Sequence, residues 1–343
     1  MTPGAMPRFL LRRAGTALLV MLGTTFVTFL LARVVPANPA VSYLGPKARP
    51  DEIARIEAQL GLDQPLPYQY GRYLWDLLRG DWGTSIGTKL PVTDEMFGRL
   101  PATLELLLIA MLLACLIGVA LGVVAAARQN RFLDHLIRLL AIGGVSVPAF
   151  WLGLLLQVFV FGGLGLFELT GRLDPDLEFT DPLREITGFH LVDALLTGHL
   201  TALSDAAAHL VLPALTLAAY PIGVIARMTR ASMLEILAAD HIRAARAYGL
   251  RERIVHWRIA LRGALPPTTT VAGLTLAYSL TGTFFVEVVF NWPGLGLFAS
   301  TALLNMDYPV IMGITLFGAA GYVLVNLIVD LVQARLDPRV RLS

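Results

Sequence analysis

The sequence is poor in three things, and each shortage excludes a class of function. Cysteine occurs once, at Cys115 inside an apolar run. No intramolecular disulfide can form, and a thiolate metal cluster would need cysteines from other chains. Lysine occurs only at Lys47 and Lys89, which follow Pro46 and Thr88. The phosphate-binding pattern GxxxxGK[ST] needs glycine before its lysine, so this chain has no such loop. Charged residues make up only 15% of the 343 residues, against roughly a quarter in soluble domains, while 56% are hydrophobic. No HExxH spacing and no pair of acids within an apolar run argues for an intramembrane enzyme. What remains is a chain whose main solvent is lipid.

A bilayer core of about 30 Å needs about 20 apolar residues in a helix. The stretches 14–32, 104–125, 139–161, 209–226, 264–289 and 310–332 meet that length. The fold class is therefore an all-α membrane protein with about six transmembrane helices. Arginine sets their direction. Arg8, Arg12 and Arg13 precede the first span; Arg128, Arg131 and Arg138 follow the second. Arg227, Arg230, Arg243, Arg246, Arg251, Arg253, Arg258 and Arg262 follow the fourth, and Arg335, Arg339 and Arg341 the sixth. On the other side, 287–309 has no Lys or Arg, and 167–209 has only Arg172 and Arg184 among many acids. Basic residues resist translocation, so the N and C termini are both expected in the cytoplasm. The basic first connection, 35–103, is too long for the rule to apply. The first span follows three arginines, as a cleaved signal peptide would, but it exceeds a typical signal core and fits an uncleaved anchor better.

This divides the chain into an N-terminal tail and first helix (1–34), an external segment (35–103) and a membrane core (104–343). The core contains an acidic external loop at 167–208 and a cytoplasmic loop at 227–263. In the external segment, Pro50-Asp51 followed by Ile53, Ile56, Leu60 and Gly61 predicts a short capped helix with one apolar stripe. A second amphipathic piece covers 68–78, followed by the turn-rich 80–85. Tyr68, Tyr70, Tyr73, Trp75 and Trp82 suit the headgroup level. Such a segment is either a lid over helix ends or a platform for an external partner. The 168–205 stretch carries Glu168, Asp174, Asp176, Glu178, Asp181, Glu185, Asp193 and Asp205, together with His190 and His199, and His209 follows. Without a ligand spacing it is expected to be a solvated, flexible loop rather than a metal site.

Within the spans, Thr275, Ser279, Gly282 and Thr283 form one small, polar helix face, fit either to line a watery path or to pack closely, with packing favoured for Gly282. Gln157 and Asn326 are further candidates for lining a pathway. Glu287 and Asp330 lie near span ends and are expected to be solvated. Pro148, Pro213 and Pro221 can kink their spans, whereas Pro266 and Pro267 are expected to begin the fifth helix. Neither mid-membrane ionisable residues nor an inverted repeat supports a proton-coupled secondary transporter.

The richest stretch is Asp240-His241-Ile242-Arg243-Ala244-Ala245-Arg246-Ala247-Tyr248-Gly249-Leu250. Asp240 suits an N-cap, the alanines favour helix, Gly249 suits a left-handed stop and Leu250 an apolar contact after it. A further helix is expected from Arg251 to Pro266. Physics alone allows an interfacial helix on anionic lipid. The stretch also resembles the cytoplasmic "EAA" loop of ABC importer permeases: Arg243-Ala244-Ala245 and Gly249 match its spacing, with Arg243 in place of the acid, a departure associated with the peptide and nickel branch. Ile259 and Leu261 match downstream, while Arg262 replaces a proline. The dipeptide/oligopeptide/nickel permease family is further resembled in Leu31-Ala32-Arg33-Val34-Val35-Pro36-Ala37-Asn38-Pro39, Leu60-Gly61-Leu62-Asp63-Gln64-Pro65-Leu66 and Gly80-Asp81-Trp82-Gly83-Thr84-Ser85. Arg99-Leu100-Pro101-Ala102-Thr103-Leu104-Glu105-Leu106, Glu287-Val288-Val289-Phe290, Pro293-Gly294-Leu295-Gly296, Asp307-Tyr308-Pro309 and Asp337-Pro338-Arg339 complete the series.

The resemblance implies a type I ABC importer permease (MetI-like) in a bacterial inner membrane, carrying peptides or, alternatively, nickel. It implies a second homologous permease, two ATPase subunits that bind ATP and Mg, and an external binding protein. This chain itself would hold no cofactor. Asp240, Arg243, Ala244, Ala245, Arg246, Gly249 and Leu250 would contact an ATPase subunit.

Overall fold

A computed structural model describes residues 5–34, 49–60, 63–165, 167 and 170–336. Lys47, Glu168, residues 35–39, Gly61-Leu62 and residues 337–341, each invoked above, lie outside the described residues. Among the described residues the chain is helical, with one isolated bridge between Thr84 and Pro91. Among the described residues five helices are long and apolar enough to cross a membrane, or six with one bent pair taken as a single span. The chain forms two compact units, 1–100 with 294–323 and 101–293 with 324–343.

The first unit contains α1 (Ala5–Val34), α2 (Pro50–Leu60), α3 (Leu66–Leu78), the start of α4 (Val92–Ala127), α12 (Leu295–Leu304) and the start of α13 (Tyr308–Leu336). Both helices predicted between the first two spans are present. α3 is fastened to α1 by Tyr70, whose hydroxyl lies 3.0 Å from that of Thr25 and whose ring meets Phe26 edge-on. The turn after α3 needs glycine, because Gly80 and Gly83 have φ of +83° and +85°. It is tied down by Asp307, which accepts from the Ser85 hydroxyl at 2.6 Å and the Gly87 amide at 3.0 Å.

In the second unit, α5 (Phe132–Ser146) and α6 (Ala149–Gly162, π-helical over Gln157–Gly162) replace the single third span expected at 139–161. They meet at 109°. Pro148 is the cause: it has no N–H to continue the ladder, and Val147 before it is extended at φ −86°, ψ 126°. After α7 (Pro175–Thr180) and α8 (His190–Thr197) comes α9 (Leu200–Leu237), far longer than the predicted 209–226 and continuous through Pro213 and Pro221. It is the centre of this unit, packing on α5, α6 and α8 and on α11 (Glu252–Val289). Pro266 and Pro267 lie inside α11 rather than in its first turn, because the helix begins well upstream at Glu252.

Close helix approach rests on small residues, as expected where van der Waals packing replaces the hydrophobic effect. A Cβ built on Gly223 would lie 2.5 Å from the carbonyl oxygen of Ala141, and one on Gly144 would lie 2.8 Å from that of Ala219. On the α4 side, Gly122 approaches Thr229 and the Ala226 carbonyl in the same way. α9 is thus held against α4 and α5 with almost no side chain between.

Candidate functional site: an exposed connecting helix and a cavity at the bent helix pair

α10 (Asp240–Ala247) joins α9 to α11 and is amphipathic in an economical way. Ile242 alone is fully buried, in a cluster with Val123, Met233, Val255 and Ala264. Arg243, Ala244, Arg246, Ala247 and Tyr248 face outward, Tyr248 at 88% exposure, and Ala245 is half-buried. The helix ends as Gly249 requires, at φ +76°, with the Gly249 amide bonded to Arg246 O and the Leu250 amide to Ala245 O. Arg246 then grips Glu252 at the head of α11 through two contacts, 2.9 and 3.3 Å.

Three details differ from the sequence expectation. Ala239 occupies the N-cap position, and Asp240 is the first helical residue, paired with Arg243. Arg243 and Arg246 both have acidic partners within the chain. Leu250 is exposed, so its role in the stop is carried by its backbone. Sequence reasoning missed Ile242 and Tyr248; the lone large aliphatic residue in a polar helix was the available signal for the first.

The second feature is a cavity of about 490 Å³ at the break between α5 and α6, closed by α9 and α11. Pro148 forms its corner. Tyr220, Tyr278 and Ser279 place hydroxyl-bearing side chains in its lining, with Gly282 beside them. The rings of Tyr220 and Tyr278 are 5.0 Å apart. Of the predicted pathway residues, only Ser279 reaches this cavity. Thr275 and Thr283 are buried, and their hydroxyls bond carbonyls of their own helix, Ala272 and Leu280 among them. Gln157 donates to Val289 O at 3.0 Å, tying the π-helical turn to the end of α11. Asn326 is half-buried outside the cavity. Tyr220 and Tyr278 were missed because an aromatic residue in an apolar run carries no periodic mark.

At the opposite end of this unit, the acidic loop leaves Asp176, Glu178, Asp181 and Glu185 exposed but is hydrogen-bonded around Asp193. Fully buried Asp193 accepts from the amides of Ile186, Thr187 and Gly188 and from the Thr187 hydroxyl. Burial alone would raise its carboxyl, but these bonds prevail and hold it below the ordinary value. Arg172 reaches Glu105 of α4 at 2.5 Å and also donates to Gly188 O. His190 is buried beside them; desolvation, then the Arg172 charge, hold its ring below the ordinary value despite Glu105 and Glu185. Among the described residues no group of three metal-ligating side chains occurs. Glu287, expected in water, is fully buried and accepts from the Thr103 hydroxyl at 2.7 Å, because the chain folds back over it through Trp292.

Residues 118–342 match the family of binding-protein-dependent transport system inner membrane components, and residues 6–107 match the N-terminal family of such membrane components. The chain is similar to the probable D,D-dipeptide transport system permease protein DdpB of Escherichia coli K12, 45% identical over 96% of each chain. It is 40% identical to the dipeptide transport system permease protein DppB of Alkalihalophilus pseudofirmus, covering 97% of this chain and 99% of that one. It is 41% identical to DppB of Escherichia coli K12, covering 98% and 99%. Among solved structures, the inward-facing MetNI methionine ABC transporter aligns over 78% of this chain and 98% of its own, with 18% identity and a TM-score of 0.47, too distant to carry an argument.

Proposed function

Since the chain belongs to the family of binding-protein-dependent transport system inner membrane components, we propose that it is the peptide-conducting permease of an ATP-driven importer. It spans the inner membrane several times. It conducts di- or oligopeptides received from an external binding protein, beside a second homologous permease. It carries no ATPase chemistry of its own; two partner subunits would bind ATP and Mg and supply the work. Similarity to dipeptide permeases at 40–45% identity over nearly the whole chain supports the substrate class.

The observation that carries the coupling part is α10: an outward-facing helix of small and basic residues, anchored by one buried side chain and joined at both ends to core helices. An ATPase subunit would receive its Arg243, Ala244, Ala247 and Tyr248 face. Because α10 continues into α9 at one end and is gripped by Glu252 of α11 at the other, a push on it is delivered to both. The break at Pro148 is the natural point of yield, since no helical ladder crosses it. The cavity there is the candidate way-station, with Ser279 at its wall. In this reading residues 35–103 form the external segment and 104–343 the conducting core.

The nickel alternative gains nothing from the histidines of the acidic loop. His190 is buried, His199 lies 3.2 Å from Asp181, and His209 lies 3.5 Å from Asp205. The test is uptake into proteoliposomes containing this chain with its second permease, ATPases and binding protein. ATP-dependent accumulation of labelled dipeptide is expected. Uptake that ignores ATP, or accumulation of nickel in preference to peptide, overturns the reading.

A further inference from the structure

Within the first unit, two cavities follow one another along the pair α1 and α13. The lower one, about 480 Å³, is an apolar groove lined on α1 by Leu19, Val20, Gly23 and Val27 and on α13 by Thr315. The upper one, about 270 Å³, is bounded on the same two helices by Arg33 and by Pro309, Met312 and Gly313. It is completed by α3 and the turn after it, which bring Arg72, Asp76, Asp81 and Trp82.

The two differ sharply in chemistry. Leu19, Val20 and Val27 are exposed on a helix that crosses the membrane, so the medium touching the groove is hydrocarbon, not water. From Leu19 to Thr28 the helix rises about 14 Å, close to the half-thickness of a bilayer core of about 30 Å. The upper pocket holds charges of both signs. Arg72 and Asp76 are 3.9 Å apart, too far for a direct hydrogen bond, and both are partly exposed. Asp81 accepts the Gly83 amide through one oxygen. Tyr68 and Trp82 add the aromatic character of a headgroup level.

We propose that this crevice is a binding site for one phospholipid with a zwitterionic, ammonium-bearing headgroup. An acyl chain fills the groove. The phosphate lies between Arg33 and Arg72, and the ammonium donates to Asp76 and Asp81. Charge complementarity selects the headgroup. A purely anionic lipid meets two carboxylates, and a trimethylated ammonium has no N–H for them to accept. Span orientation from the arginine pattern puts the site in the outer leaflet. Bound there, the lipid would join α1 to α13 and to α3.

Gly23 makes the test clean. A Cβ added there meets nothing within 4 Å, so Gly23→Leu or Gly23→Phe fills the groove without displacing protein atoms, and leaves the helix stronger. The full complex, delipidated in detergent, would be titrated with palmitoyl-oleoyl phosphatidylethanolamine, phosphatidylglycerol or phosphatidylcholine and read by native mass spectrometry. The expected result is preferential retention of the ethanolamine lipid on the wild type. Gly23→Phe should abolish that preference, with Gly23→Leu as the milder block. Arg72→Gln with Asp81→Asn should weaken it about tenfold, as loss of charge-assisted bonds predicts. Equal binding of the three lipids, or unchanged retention in both groove variants, overturns the proposal. So does displacement of the lipid by a free dipeptide, which would make the upper pocket a peptide site. Because the readout is lipid mass and not transport, it fails or succeeds independently of the importer function.

Discussion

Arg230 reaches Asp134 through two guanidinium nitrogens, at 2.6 and 2.8 Å, and the carboxylate it meets is fully buried. The pair joins the first turn of α5 to the C-terminal part of α9, ten residues before α10. The Asn130 amide, at 3.0 Å, and Arg138, at 3.5 Å, complete the surroundings of Asp134. With the glycine contacts further along the same two helices, it makes α5 and α9 one body.

Breaking that pair from one side should therefore be worse than removing it whole. Arg230→Gln leaves a buried carboxylate without its partner, at a cost of about 3 kcal/mol. Asp134→Leu with Arg230→Met should recover most of this. Thermal denaturation of the detergent-solubilised complex measures all three variants. Additive losses in the double variant would show that the two residues do not act as a pair.

Gly249 tests α10. Its φ of +76° costs a residue with Cβ about 1–2 kcal/mol, yet a Cβ there meets no other group of this chain. Gly249→Asp should insert normally and lose ATP-driven uptake, while Gly249→Asn, which tolerates the left-handed region, should keep most of it. Wild-type transport by the aspartate variant would remove α10 from the coupling pathway.

Neighbouring glycines should behave oppositely. Gly144→Ala drives a methyl against the Ala219 carbonyl, and Gly223→Ala does the same against Ala141. Each should destabilise by about 2 kcal/mol, in the range for overpacking. Gly143→Ala meets nothing within 4 Å and should be neutral or slightly stabilising. Equal melting temperatures for the Gly143 and Gly144 variants would contradict the packing described for α5 and α9.

The hydrogen-bonded segment around His190 and Asp193 should loosen in acid. His190 binds a proton less readily folded than unfolded, so its contribution is complete above about 6.5 and declines as pH falls below that value toward the folded pKa. Asp193, held low by its hydrogen bonds, fails only below about 3.8. Hydrogen exchange in 186–193, corrected for intrinsic rates, should therefore quicken between pH 7 and pH 5. His190→Gln should flatten that dependence. A wild-type profile already flat over this interval would count against it, with Arg172, Glu105 and Glu185 then setting the field alone.

Much of this molecule could be read without coordinates. Hydrophobic run length located the spans, because a membrane crossing has a minimum number of residues whatever packs beside it. Gly249 announced its left-handed turn, since few other residues adopt it cheaply. The external helices at Pro50 and Leu66 followed from local periodicity. The sequence left Thr275 and Thr283 open between lining a path and packing, because a small polar face looks the same whether it meets water or, as their hydroxyls do, its own helix carbonyls.

The sequence by itself determined membrane residence and the left-handed end of α10, both set by properties local to a stretch of chain. Only the tertiary structure decided that the third apolar stretch breaks at Pro148, that Glu287 and Asp193 are buried, and that Arg230 answers Asp134. Those outcomes depend on residues far apart in the chain arriving together, and hydropathy, which sums over neighbours in sequence, has no access to them.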